Sequence, residues 1–187
     1  MLILLITYEK NKTFAEQTQR VLKEKWDLDA EIIMGHTIDN EKYTRTNVLM
    51  EGWVDFVLPR AISSKEEKVM IIEDDVRFEK NPTKLEEDAD VNWIGFRRGR
   101  LTNKRPFITG TQAVVFKREV LPLIYEHFHS KKRKIHLDYG VSKFLTTFQN
   151  KVKTYQPKLS YCFEQDHKSL ISLDKWFQYT KAPSSRK

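Results

Sequence analysis

KVMIIEDDVRF, residues 68–78, is a short apolar run that ends in three consecutive acids. Its apolar part, Val69–Ile72, is bounded by charge, which is typical of a strand buried on both faces in the parallel sheet of an α/β domain. Glu73, Asp74 and Asp75 follow at the carboxyl end of the strand, the edge at which open α/β sheets bind ligands. Adjacent carboxylates repel one another unless a cation offsets their charge, so the stretch predicts a divalent metal site.

Strand and helix patterns alternate on both sides of this stretch. Leu2–Ile6 and Ala30–Met34 are apolar enough to form strands and flank a helical pattern, so the chain opens with a right-handed βαβ unit. Further strands are predicted near residues 91–96, after a turn at Gly110, and near 152–155. Helices are predicted near 47–62, 118–128 and 141–145, with a short acidic helix that begins at Asn81. We therefore predict an α/β fold: one Rossmann-like domain with a mostly parallel central sheet flanked by helices.

The composition is that of one globular domain. The chain has 187 residues, of which 40% are hydrophobic and 32% charged, so we expect a single domain over residues 1–180 and a flexible basic tail over 181–187. The one cysteine, Cys162, excludes an intramolecular disulfide and is typical of a reducing compartment. No apolar run approaches the roughly 18 residues that span a bilayer. We expect a cytoplasmic protein, in its own cell or in an infected host, and the sequence leaves its oligomeric state open.

The loop after the first strand faces the same edge as the acids. Thr7, Tyr8 and Lys12 are candidates to bind a nucleotide there, because an aromatic ring stacks on a base and a cation pairs with phosphate. Every α/β protein has a loop at this position, so these residues alone leave its role open.

The basic residues are concentrated rather than spread. The formal net charge is +7, and Lys and Arg cluster in FRRGRLTNKR, residues 96–105, and in HSKKRK, residues 129–134. Such runs attract polyanions such as nucleic acid, anionic glycan or a membrane surface. The alternative is a solvated basic face that has no particular partner.

Four segments in this order resemble glycosyltransferase family 25. They read IIEDDV, GTQAVVFKREVLPLI, LDYGVSKFL and PKLSYCFEQDHKSLIS, and the family's motif positions would be Glu73 to Asp75, Gly110 to Ala113, Asp138, Pro157, Gln165 and Ser169. That family includes bacterial lipooligosaccharide and collagen galactosyltransferases, which look like GT-A enzymes. The chain departs from the family in lacking a Ser-His pair in EGWVDFVLPRAI, residues 51–62, and in being shorter and more basic.

The resemblance implies a GT-A-like domain that moves a sugar from a nucleotide sugar, with a UDP-sugar favoured, to an acceptor hydroxyl. Mn²⁺ or Mg²⁺ would neutralise the leaving diphosphate. Asp75 would bind the metal directly, while Glu73 or Asp74 would contact the ribose or the water shell of the metal. His167 would be a third metal ligand, and its alternative is a solvent-exposed histidine in a polar loop.

Asp138 is the candidate general base for the acceptor hydroxyl. Direct displacement of the sugar needs a base on the side away from the metal, and a carboxylate is the usual group. The alternative is that Asp138 lies at a turn and caps the helix that follows. By resemblance, Gly110, Thr111 and Gln112 would shape the acceptor pocket and the reaction would invert configuration.

The basic runs border the acceptor side of this predicted site. An anionic acceptor is therefore expected, and DNA with hydroxymethylated pyrimidines, as in phage genomes, is preferred slightly over lipooligosaccharide, another glycan or a glycoprotein. Six side chains would contact the anionic acceptor: Arg97, Arg98, Arg100, Lys104, Lys132 and Arg133.

Two other classes compete with a transferase. A metal-dependent phosphohydrolase or nucleotidyltransferase would also use acids beside basic patches, although the first strand, Leu2–Ile6, and its loop lack the aspartates of a haloacid-dehalogenase-like phosphatase. A nucleic-acid-binding module is the non-enzymatic alternative, but the chain contains no recognisable binding motif and the acids would repel phosphate.

Overall fold

The computed structural model describes residues 1–39, 42–43, 47–96, 98–100, 107–130 and 136–164. Its strands are β1 (Leu2–Thr7), β2 (Glu31–Met34), β3 (Lys68–Glu73), β4 (Val76–Phe78), β5 (Val91–Gly95), β6 (Arg98–Arg100), β7 (Phe107–Thr109), β8 (Ala113–Lys117), β9 (Thr154–Tyr155) and β10 (Cys162–Glu164). Its α-helices are α1 (Lys12–Trp26), α2 (Val48–Gly52), α3 (Leu58–Ser63), α4 (Leu121–Ser130) and α5 (Leu137–Thr147). The α/β prediction is confirmed.

Six of these strands form the central sheet, in the order β2-β1-β3-β8-β5-β9. β1 is parallel to β2 and to β3, and β5 is parallel to β9. β8 is antiparallel to both of its neighbours, β3 and β5. A small hairpin of β6 and β7 lies between β5 and β8 in the chain, and strands joined without a crossover helix pair antiparallel. The mostly parallel sheet predicted from the sequence is confirmed, with β8 as its antiparallel member.

Helices cover both faces of the sheet, and the alternation of side chains along each strand divides the core in two. Leu4, Ile6 and Ile71 face α2, α3, α4 and α5, and we call this side the α5 face. Ile3, Leu5, Met70 and Ile72 face α1 on the other side, which we call the α1 face. The largest fully buried side chains include Trp53, Trp93, Phe116, Phe128 and Phe144.

The helix predicted over residues 47–62 is interrupted by a π-helical turn, Trp53–Val57, between α2 and α3. The N–H of Leu58 donates to the carbonyl of Trp53, five residues back. Pro59 follows at once, and it has no N–H to continue the ordinary ladder. The wider turn therefore lets the chain pass the proline and stay helical.

One predicted element is wrong. Residues 81–90 form turns and not the acidic helix expected from Asn81. The side-chain oxygen of Asn81 accepts hydrogen bonds from the backbone N–H of Thr83 at 2.9 Å and from its hydroxyl at 2.7 Å. Such local bonds compete with helix formation, and they favour the turn.

None of the helices in the described part of the chain is both long and apolar enough to cross a membrane. The predicted domain limit at residue 180 and the basic tail 181–187 lie outside the described residues and stay predictions.

Gly95→Ala is expected to destabilise the fold by about 1–3 kcal/mol. A Cβ at this bulge in β5 would collide with Cys162 Sγ and would lie 2.6 Å from the backbone nitrogen of Ala113, which cannot move without breaking the sheet. Urea unfolding measures the loss.

Gly52→Ala is the matched control, because the close contact of its Cβ would be with the flexible end of Ile6, at 3.0 Å, and Gly35 Cα would lie at an ordinary 3.8 Å. Alanine favours a helix, so this variant is expected to be neutral or up to about 1 kcal/mol more stable. Equal losses in the two variants would contradict the packing argument.

Candidate active site at the carboxyl edge of the sheet

The three acids lie at the carboxyl edge of the central strand, as predicted. Glu73 is the last residue of β3, and Asp74 and Asp75 form the turn into β4. Asp74 and Asp75 are each only 6% exposed. β4 pairs antiparallel with β10, with Val76 opposite Glu164, so the end of β10 lies beside this turn.

Asp74 is held from the α1 face. The hydroxyl of Thr7, at the end of β1, donates to Asp74 Oδ2 at 2.7 Å. The hydroxyl of Thr18, in α1, donates to the Asp74 carbonyl at 2.8 Å. Both threonines are buried, so β1 and α1 together set the position of this carboxylate. Thr7, predicted to bind the donor, therefore contacts an acid of the predicted metal site.

Glu73 is held from the opposite face. It follows Ile71 by two positions and so shares the α5 face. Its N–H donates to the carbonyl of Gln112 at 3.0 Å, and the hydroxyl of Thr111 lies 3.4 Å from its Oε1. Consecutive acids thus turn to different sides of the sheet, and Glu73 is separated from Asp74.

This separation bears on the predicted metal site. Across the described ranges, no three His, Cys, Asp or Glu side chains form a group that could hold a metal ion. The acidic triplet is therefore not a complete metal cage by itself. His167, the predicted third ligand, lies outside the described residues.

Asp138 lies in the first turn of α5, and the residue in the N-cap position is His136. The alternative prediction, that Asp138 lies at a turn and caps the helix, is therefore wrong. Asp138 instead binds the loop before β8: its Oδ2 accepts from the N–H of Gly110 at 2.9 Å and its Oδ1 accepts from the hydroxyl of Thr111 at 2.7 Å. Each carboxylate oxygen can accept two hydrogen bonds, so both oxygens retain accepting capacity.

The loop that Asp138 holds has a constrained shape. Gly110 has a φ of 84°, a left-handed conformation that glycine adopts without a steric penalty. The indole N–H of Trp93 also donates to the Gly110 carbonyl, at 3.2 Å. The predicted acceptor residues Gly110, Thr111 and Gln112 are all buried, and they lie between Glu73 and Asp138.

Tyr8 is buried beside the acids rather than exposed for stacking. It is 8% exposed, and Gly35 packs so close that a Cβ there would lie 2.9 Å from the ring. Its hydroxyl has no hydrogen-bond partner in the described part of the chain. Burial, followed by the charges of Glu73 and Asp74, raises the pKa of Tyr8 well above its usual value, so the phenol is neutral at physiological pH. Lys12, at the start of α1, is exposed.

A second cluster near this edge was missed by sequence reasoning. His36 follows β2, and its Nε2 lies 2.7 Å from Oδ2 of Asp55 in the π-helical turn. Tyr43 stacks on the His36 ring with centroids 3.9 Å apart, and Phe56 lies against it at 4.6 Å. No spacing in the sequence signals this contact, because His36 belongs to a polar, irregular segment.

Four of the six predicted basic contacts lie outside the described residues: Arg97, Lys104, Lys132 and Arg133. Arg98 and Arg100 lie in β6, opposite Thr109 and Phe107 of β7. That hairpin leads directly into the Gly110 loop, so the first basic run adjoins the site along the chain.

No family model matches the sequence and no curated protein matches it, so membership of glycosyltransferase family 25 is not confirmed. The fold is nevertheless similar to solved glycosyltransferase structures. A glycosyltransferase involved in the glycosylation of the major capsid of PBCV-1 has a TM-score of 0.60 at 9% identity, over 90% of this chain and 95% of that chain.

Two structures of Drosophila β1,4-galactosyltransferase 7 are also similar. A mutant in complex with manganese, UDP-Gal and xylobiose has a TM-score of 0.51 at 11% identity, over 100% of this chain and 75% of that chain. The catalytic domain in complex with xylobiose has a TM-score of 0.52 at 12% identity, over 89% and 71%. At such identities the similarity shows the fold alone, and that fold is GT-A-like.

The burial of Tyr8 predicts a stability loss at high pH. A phenol whose pKa is raised on folding keeps its proton in the folded state while the unfolded chain loses it. The stability present below about pH 10 is then lost as the pH rises toward the folded pKa, by up to about 1.4 kcal/mol per pH unit. Urea unfolding of the wild type and of Tyr8→Phe between about pH 8 and 11 tests this, and a constant difference between the two would contradict it.

Proposed function

We propose that this chain is a glycosyltransferase that moves a sugar from a nucleotide-sugar donor to an acceptor hydroxyl. One observation carries the proposal. The buried Asp74–Asp75 turn and Asp138, which is on α5, lie at the same edge of a GT-A-like sheet. An acidic turn suits a metal-bound diphosphate, and a separate carboxylate suits proton removal.

A divalent cation fits this donor set. Mg²⁺ and Mn²⁺ prefer hard oxygen ligands, and Mg²⁺ is commonly bound by one or two carboxylates plus substrate phosphates rather than by a full protein cage. Asp75 and Asp74 would hold it. When bound, the ion neutralises the charge of the leaving diphosphate.

His167 stays the proposed third ligand. Glu164 lies opposite Val76, beside the acidic turn. His167 follows Glu164 by three positions in the sequence, and imidazole is a common metal ligand, which is the support for this proposal.

The remaining steps use the protein's own side chains. Thr7, Tyr8, Lys12 and Glu73 border the donor. Asp138 takes the proton of the acceptor hydroxyl, the acceptor oxygen forms the new bond to the sugar carbon, and the bond from that carbon to the diphosphate breaks with inversion. The hydrogen bonds from Gly110 and Thr111 keep Asp138 oriented for this role.

We propose an anionic acceptor, with hydroxymethylated DNA slightly preferred. The support is the net charge of +7 and the position of the two basic runs. The first run leads through β7 into Gly110, and the second ends four residues before Asp138. An anionic glycan, lipooligosaccharide or glycoprotein is the alternative acceptor of the same enzyme.

Thermal stabilisation by a panel of nucleotide sugars and nucleoside diphosphates, with and without Mn²⁺, tests the reaction class. UDP-glucose, UDP-galactose, UDP-N-acetylglucosamine and GDP-mannose form the panel. One Mn²⁺-dependent ligand at about 100 times its Kd should add more than about 2 kcal/mol of stability. No stabilisation by any of them would contradict the transferase and favour the phosphohydrolase or the nucleic-acid-binding module.

Asp75→Asn and Asp138→Asn are expected to separate donor binding from transfer. Asp75→Asn should abolish Mn²⁺-dependent donor binding, because it weakens a metal ligand. Asp138→Asn should bind the donor normally. Its rate of sugar transfer should be lower than that of the wild type by about 10²-fold or more, because the base is lost. Calorimetry measures binding, and product formation measures transfer.

Each variant is the control for the other. Unchanged donor affinity in Asp75→Asn would contradict the metal assignment. Since Asp138 also holds Gly110 and Thr111, loss of donor binding in Asp138→Asn would show that it anchors the loop and is not the base.

Charge reversal in the first basic run is expected to weaken the binding of an anionic acceptor. The variant carries glutamate in place of Arg97, Arg98 and Arg100. If all three contact phosphates, the slope of log affinity for DNA against log salt should fall by about 2–3. The control reverses three exposed cations elsewhere in the chain: Arg20, Lys65 and Lys151. Equal effects of the two variants, or none, would mean that the run only adds net charge.

A further inference from the structure

Two buried polar atoms at the carboxyl edge have no hydrogen-bond partner in the described part of the chain. They are the hydroxyl of Tyr8 and the side-chain carbonyl oxygen, Oε1, of Gln112. Tyr8 is 8% exposed and Gln112 is 1% exposed. Buried polar groups in native proteins are nearly always hydrogen-bonded, because leaving one unpaired costs stability. A bound ligand would satisfy both atoms.

The side chains that carry these two atoms flank the carboxyl end of β3, on the same face of the sheet. β3 lies between β1 and β8. In the pairing of β1 with β3, Ile6 lies opposite Glu73, and on the β8 side the N–H of Glu73 donates to the carbonyl of Gln112. Tyr8 is extended and follows Ile6 by two positions, and Gln112 precedes Val114 by two. Alternation therefore puts both side chains on the α5 face, with Glu73 between them.

These three side chains face the other side of the sheet from the Asp74 carboxylate. Asp74 faces α1 through its bond to Thr7, whereas Glu73 faces Thr111 and α5. The hydroxyl of Thr111 lies between Glu73 and Asp138, at 3.4 Å and 2.7 Å from their oxygens. Through Thr111, this group of side chains thus adjoins the proposed base.

The chemistry of the three groups selects the ligand. Tyr8 offers one donated hydrogen bond, Gln112 Oε1 accepts one, and the Glu73 carboxylate accepts more. A phosphate has no hydrogen to offer and would be repelled by Glu73. Adjacent hydroxyls of a sugar both donate and accept. A nucleobase also does so, but the sugar, and not the base, must lie beside the group that takes the acceptor proton.

We infer that Tyr8, Glu73 and Gln112 bind hydroxyl groups of the donor's sugar and so determine which sugar is accepted. This inference rests on the proposed function. It differs from the sequence-based prediction at two residues. Gln112 contacts the donor and not the acceptor, and Tyr8 binds the sugar of the donor and not its base.

Tyr8→Phe and Gln112→Met test it. The first removes only the unpartnered hydroxyl, the second removes Oε1 together with the amide nitrogen, and both keep the approximate size of the side chain. Calorimetry with Mn²⁺ compares the nucleotide sugar selected by the panel with its nucleoside diphosphate. Each variant should bind the nucleotide sugar about 5- to 10-fold more weakly, the effect of one lost hydrogen bond, and the diphosphate as tightly as the wild type.

The unliganded protein provides a second readout. Because the Tyr8 hydroxyl has no partner in the described structure, Tyr8→Phe should leave the Tm unchanged or raise it by a few degrees. Tyr125→Phe, on α4, removes a tyrosine hydroxyl from a residue outside this group and should change the affinity for neither ligand. A lowered Tm in Tyr8→Phe would overturn the inference, because the hydroxyl would then serve the fold.

An equal loss of affinity for the nucleotide sugar and for the diphosphate would also overturn it, because these side chains would then bind the nucleotide. Variants that bind both ligands like the wild type would overturn it while leaving the proposed function intact. A wild-type protein that binds neither nucleotide sugar nor diphosphate would overturn the proposed function itself, and this inference with it.

Discussion

The pairing of β3 with β1 on one side and with β8 on the other is the constraint on which the whole site depends. The register places Ile6 opposite Glu73 and Ala113 opposite Ile72, so residues distant in sequence meet at one strand end. A slip of one residue in either register would turn every side chain of that strand to the other face. The burial of apolar residues on both faces opposes such a slip.

The same alternation gives the acids different surroundings. Glu73 faces α5 and shares the hydroxyl of Thr111 with Asp138, whereas Asp74 is bonded by Thr7 and faces α1. A run of like charges is thereby divided between two faces, which reduces the repulsion that the sequence implies. The division also places the residues that we propose for a cation with phosphate and those that we propose for sugar hydroxyls on opposite faces of one edge.

The site retains polar groups that do not stabilise the fold. Tyr8 and Gln112 each bury an atom without a partner in the described residues, close to carboxylates. Proteins commonly accept such a cost at functional sites, where the same atoms bind a ligand. Other residues of this edge are held by short hydrogen bonds: Thr7 and Thr18 donate to Asp74, and Thr111 donates to Asp138.

The sequence by itself determined the βαβ start, the central apolar strand, the acids at its carboxyl edge and the turn at Gly110, because these follow from local periodicity and from glycine's backbone freedom. Only the tertiary structure decided the antiparallel β8, the separation of Glu73 from Asp74, the binding of the Gly110 loop by Asp138 and the contact of His36 with Asp55. The physical reason is sequence distance. The bonds of Thr7 to Asp74 and of Thr111 to Asp138 join residues 67 and 27 positions apart, and no local pattern encodes such contacts.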